Sequence, residues 1–94
     1  MLPSWLAETY VPRSRARDAA ASALRARAAA DELSRDGAEI RYVRTTFLPD
    51  DETCFHLFEA ASTEAVDEAV NRAGLGRARV VEVVEEPAAG RSES

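Results

Sequence analysis

The pattern of apolar and polar residues divides this chain into six segments, each of which predicts one element. Residues 5–11, Trp5-Leu-Ala-Glu-Thr-Tyr-Val11, read as a strand. Pro12 ends it, because proline has no N–H to continue a ladder. Over residues 15–35 the spacing becomes three and four, with Ala16, Ala20, Ala23, Leu24, Ala30 and Leu33 as the predicted buried stripe of a helix. Ser14 is the expected N-cap and Gly37 the expected left-handed stop. Residues 39–48 return to strand spacing, Pro49-Asp-Asp-Glu52 supplies turn chemistry, and residues 53–60 form a third strand directly after it, so these two strands predict a hairpin. Ser62 or Thr63 caps a second helix with the stripe Ala65, Val66, Ala69, Val70, Ala73, closed by Gly74. Residues 78–85 are rich in valine and read as a fourth strand.

The order β-α-β-β-α-β predicts an α+β, ferredoxin-like fold: a four-stranded antiparallel sheet with both helices on one face and strand order 4-1-3-2. It occupies residues 1–86 as a single domain, and residues 87–94, small and polar, are expected to form a flexible tail. Alternation then assigns faces. Ala7, Thr9, Val11, Val43, Phe47, Phe55, Leu57, Val81 and Val83 are placed under the helices. The open face is expected to receive Leu6, Glu8, Tyr10, Tyr42, Arg44, Thr46, Cys54, His56, Phe58, Val80, Glu82 and Val84. That face mixes large apolar groups with polar ones, and stacking two such sheets as a homodimer would cover it. Its members Tyr10, Tyr42, Arg44 and Phe58 are the expected pocket-lining residues.

Composition narrows the function classes. A net charge of −5 over 94 residues argues against nucleic acid and anionic membrane surfaces as partners. Every basic residue is arginine, so Schiff-base lysine chemistry and a P-loop lysine are excluded. One cysteine cannot form an intramolecular disulfide, no apolar run approaches a membrane span, and the N-terminus shows no signal peptide, so the cytoplasm is the expected location.

The candidate chemistry lies on the third strand. Cys54 and His56, the only cysteine and histidine, are two residues apart and leave by the same face, with Cα atoms about 6.5–7 Å apart. Thiolate and imidazole together select late transition metals such as nickel or zinc. Glu8 and Glu82, on neighbouring strands, are the candidates to complete a metal site. Three readings stay open. The pair could bind a metal. His56 could act as an acid or base, oriented by Glu8 or Glu82, in a small cofactor-free enzyme of monooxygenase or isomerase type. Or the chain is a structural or small-ligand-binding dimer whose Cys54 and His56 are core residues. No catalytic residue is assigned.

A family resemblance bears on this choice. Residues 8–12 (ETYVP), the hairpin from Phe47 to Ala60 (FLPDDETCFHLFEA), then Glu64-Ala-Val66, Arg72-Ala-Gly-Leu75 and Arg79-Val-Val-Glu82 resemble the small nickel-binding, nickel-responsive proteins of actinobacteria, a family long listed as a domain of unknown function. The likeness spans residues 5–85 and is most specific from Pro49 to Ala60. It implies a ferredoxin-like homodimer that binds nickel, without established enzymatic activity. Cys54 and His56 fall in the matching hairpin, and Glu8 and Glu82 in matching strands.

Overall fold

The computed structural model describes residues 1–86. The expected tail at 87–94 lies outside the described residues. The observed elements are β1 (Ser4–Tyr10), a 3-10 turn (Arg13–Arg15), α1 (Arg17–Arg35), β2 (Ile40–Leu48), β3 (Thr53–Ala60), α2 (Thr63–Ala73) and β4 (Arg79–Val83). The strands form one antiparallel sheet in the order β2-β3-β1-β4, and both helices pack together on one of its faces. This is the ferredoxin-like arrangement expected from the element order.

Local chemistry accounts for most element ends. Ser62 is the N-cap of α2, accepting a hydrogen bond from the Ala65 N–H at 3.3 Å. Gly74, at φ 66°, closes that helix in a conformation that would strain a residue with a Cβ. The end of α1 is a Schellman motif, with Gly37 N–H donating to the Ser34 carbonyl and Ala38 N–H to that of Leu33. Its start departs from expectation. Ser14 is not the cap; it sits inside the 3-10 turn, and the helix begins after Ala16 with no side-chain cap.

The stripe of α1 is also rotated. Its buried residues are Ala19, Ser22, Ala26, Ala29, Ala30 and Leu33, whereas Leu24 is 70% exposed and Ala16 and Ala20 face water. With so many alanines the apolar positions nearly encircle the helix, so spacing alone leaves its phase undetermined. On α2 the fuller pattern gave the buried Val66, Ala69, Val70 and Ala73 correctly.

The principal correction concerns the faces of β3 and β4. Ala7 lies opposite His56, and Thr9 opposite Cys54. Directly opposed residues share a face, and Ala7 and Thr9 do face the helices as expected. Cys54, His56 and Phe58 therefore point under the helices, each with no exposed surface, while Phe55 and Leu57 point to the open face. On β4, Val80 lies opposite Ala7 and packs on the core, while Val81 lies opposite Leu6 and so faces away from the helices, as does Val83. On β2 a bulge between Tyr42 and Arg44 shifts the alternation. It sends Tyr42 to the helix side, where its ring meets Phe58 edge-on at 6.0 Å. Phe47, Arg44 and Thr46 keep their expected faces, with Phe47 packed on Cys54.

Candidate functional site

Beneath α1 the sheet carries a buried chain of polar side chains. His56 is held by residues of β2 and β3. Its Nδ1 is 2.8 Å from Thr45 Oγ1, and Thr45 Oγ1 is 2.7 Å from the Tyr42 hydroxyl. On the other side of the ring, Nε2 lies 3.8 Å from Cys54 Sγ. Thr45 is directly opposite His56 in the β2–β3 register, which is why the two side chains meet. Helix α1 closes this chain from above. Ser22 bonds its own backbone, donating to the Ala19 carbonyl at 2.9 Å, and its hydroxyl neighbours the Cys54 thiol together with that of Thr9.

The chain can be ordered without an orphaned group. If the Tyr42 O–H donates to Thr45 and Thr45 donates to Nδ1, then Nε2–H is left to point at the Cys54 sulfur. The reverse polarity, from the thiol through the ring to the Tyr42 oxygen, is equally complete. No buried side-chain N or O atom among the described residues lacks a partner. Satisfaction of this kind is what allows polar groups at the centre of a small core.

Electrostatics keep the ring neutral. Burial is the larger cause and the positive charge of Arg25 the smaller, and together they lower the His56 pKa from 6.5 to about 4. Arg25 is fixed there because its Nε donates to the Ala73 carbonyl at the end of α2, at 2.8 Å. Burial pushes the Cys54 thiol up, against the smaller opposing pull of the Ser22 and Thr9 hydroxyls. At neutral pH the site is thus an uncharged imidazole beside a protonated thiol. A neutral imidazole has the lone pair a metal needs, whereas the thiol must first lose its proton.

The other residues expected at this site lie elsewhere. Glu8 is opposite Phe55 on the open face, where Arg79 reaches it at 3.4 Å. Glu82 is opposite Trp5 at the margin of the sheet and is exposed. Tyr10 is 69% exposed and donates to a Glu52 carboxylate oxygen at 3.3 Å. Arg44 is exposed on the open face, and Phe58 is a core residue. Among the described residues, no group of three or more His, Cys, Asp and Glu side chains is placed to hold one ion. The sequence reading thus found the Cys54–His56 pair but missed Thr45, Ser22 and Arg25. The hairpin offered a signal for the first of these. A four-residue turn with Leu48 opposite Thr53 sets Phe47 opposite Cys54 and Thr45 opposite His56. Once Phe47 is placed under the helices, all three must follow.

The main cavity on the open face, about 500 Å³, is bounded by Arg44 and Thr46 on β2, by Leu6, Phe55 and Leu57 on its floor, and by Val83–Glu86 on the far side. It does not communicate with His56, whose side chain is on the opposite side of the sheet. No helix among the described residues is long and apolar enough to cross a membrane.

Among family models, that of the SCO4226-like family, described as nickel-responsive proteins, matches residues 9–83. No curated protein and no solved structure matches the chain. A match over this much of the sequence, including both helices and the entire hairpin, places the chain in the SCO4226-like nickel-responsive family.

Proposed function

We propose that this member of the nickel-responsive family is a small cytoplasmic homodimer that binds nickel, with zinc as the competing ion, through Cys54 Sγ and His56 Nε2, and that it has no catalytic role. The observation that carries this reading is the 3.8 Å approach of the two donors on one strand face. Bonds of about 2.3 Å to sulfur and about 2.0 Å to nitrogen let an ion bridge atoms at close to that separation. The contact between Nδ1 and Thr45 supports the assignment, because a ligating imidazole is ordinarily oriented by a hydrogen bond on its other nitrogen.

The pair provides two donors, and hydroxyls, backbone oxygens or water complete the set. Glu8 and Glu82 are outside this donor set: one is held by Arg79 on the far face and the other is exposed at the sheet margin. When bound, the ion would supply a borderline Lewis-acid centre that replaces the thiol proton. Binding therefore strengthens as pH rises. Because both donors are sealed beneath α1, entry requires local opening of the helix from the sheet, so association should be slow compared with a surface site. The acid–base reading of His56 has less support. A ring with no exposed surface does not meet a substrate, and Glu8 is not positioned to orient it.

The test is calorimetric titration of metal-free protein with Ni²⁺ and Zn²⁺, alone and against a chelator of known affinity. Saturable binding should be lost in the Cys54→Ala, His56→Ala double variant. Unchanged affinity in that variant, with its fold intact by circular dichroism, would overturn the ligand assignment.

A further inference from the structure

Helix α1 is tied to the rest of the molecule unevenly along its length. At its C-terminal end Arg72 of α2 reaches Glu32 at 3.0 Å and Asp36 at 3.3 Å, while holding Glu68 of its own helix at 3.0 Å. At mid-helix Arg25 Nε donates to the Ala73 carbonyl at 2.8 Å. From Ala26 onward the buried residues Ala26, Ala29, Ala30 and Leu33 belong to the main core cluster. Of residues 12–24, by contrast, only Ala19 and Ser22 are buried, and both are small. Ala19 joins Val11 and Cys54 in a second, smaller cluster backed by Phe47, so the cover over the Cys54 thiol is thin. Neither the 3-10 turn nor α1 has a side-chain cap at its start.

One residue of the β2–β3 turn fastens that thin end. The Glu52 carboxylate accepts the Arg13 N–H at 2.7 Å and the Tyr10 O–H at 3.3 Å, and its backbone carbonyl accepts the Val11 N–H at 3.0 Å. The Arg13 guanidinium also pairs with Asp50, but both groups are mostly exposed, so that pair adds little. The bond to the Arg13 N–H is stronger, because a carboxylate on a backbone donor is charge-assisted. Glu52 has a φ of 52°, the only positive value at a non-glycine residue among the described residues. That region favours glycine, and the two bonds of the carboxylate offset the conformational cost of holding a glutamate there.

We infer that residues 12–24 form a strap that opens as a unit over the Cys54–His56 pair, latched by Glu52 and pivoting at Arg25, while the remainder of α1 stays on the sheet. Lifting the strap uncovers Cys54 Sγ, with His56 Nε2 3.8 Å behind it, and exposes little apolar surface. Unseating the C-terminal half would instead break the Arg72 network and open the main core cluster. For what passes the strap this rests on the metal-site reading above, to which it adds the route and the residue that controls it.

Two rates measured on the metal-free full chain test the strap: labelling of Cys54 by a thiol reagent, and amide hydrogen exchange. In the wild type, amides 21–24 should exchange ahead of amides 28–33, and labelling should stay nearly flat in low urea, because a local opening exposes little surface. Glu52→Gly removes the carboxylate at a φ that glycine adopts freely, so the urea midpoint of global unfolding should move little. Labelling should rise roughly tenfold, the factor expected for one charge-assisted hydrogen bond. Glu32→Gln with Asp36→Asn, which loosens the other end of α1, should leave labelling unchanged. Labelling insensitive to Glu52→Gly, or raised instead by the Glu32 and Asp36 substitutions, overturns the strap. So does a wild-type labelling rate that climbs with urea as steeply as global unfolding. Should Glu52→Gly lower global stability, the order of exchange in the wild type still decides. Ni²⁺ association should quicken in step with labelling; faster labelling in a chain that binds no nickel upholds the strap and fails only the metal reading.

Discussion

Acid should destabilise this protein through one residue, and the size of the effect follows from where that residue sits. His56 has no exposed surface, accepts or donates only to Thr45 and Cys54, and has the cationic Arg25 as its charged neighbour. In the unfolded chain its imidazole binds a proton near pH 6.5, and in the folded chain only near pH 4. Between these values the unfolded state holds the extra proton, so stability falls as pH falls. The contribution is fully present above about pH 6.5, declines through the interval, and is gone below about pH 4. At 1.36 kcal/mol per pH unit the interval corresponds to about 3 kcal/mol, a large part of the margin of a domain this small. The assay is urea unfolding at several pH values from 7.5 to 4, on the wild type and on His56→Gln. Glutamine can still bond Thr45 but does not titrate, so subtracting its curve removes the carboxylates common to both. The wild type should lose about 3 kcal/mol relative to the variant across the range. Parallel curves would refute the reasoning, as would an NMR titration of the folded ring with a midpoint near 6.5.

Two further outcomes test the rest of the buried chain. Thr45→Val should cost about 1–3 kcal/mol in denaturant unfolding, because it strands both His56 Nδ1 and the Tyr42 hydroxyl, whereas Tyr42→Phe should cost less, since the half-buried Tyr42 leaves Thr45 still bonded to the ring; equal costs would show that the chain does not run through Thr45. Cys54 should react with a thiol reagent at the rate of local opening in native buffer and at once in denaturant; rapid native labelling would show that α1 does not seal the site.

The sequence by itself determined the element order, the turns and stops between most elements, and the pairing of Cys54 with His56, although the fourth strand ends at Val83 and not at residue 85. Proline at 12, the acidic turn after Leu48, Ser62 and the glycines at 37 and 74 act locally, and alternation within one strand needs no neighbour. That Cys54 and His56 share a face was therefore legible, and so was the topology that places β3 beside β1. Which face they share was not. On β3 both sets of alternating residues are apolar, Phe55 and Leu57 on one side and Cys54 and Phe58 on the other, so hydrophobicity carries no sign there. The register with Ala7, Thr9 and Phe47 decided it, since residues opposed across a ladder must leave by the same side. For α1, alanine on nearly every side let the close approach to the sheet, and not the spacing, select Ala19, Ser22 and Ala26. Tyr42 reached Thr45 through a bulge, which depends on how two strands fit together. Faces and contacts were fixed by tertiary structure because they are properties of pairs of elements, while element type and order could be read from the residues one segment at a time.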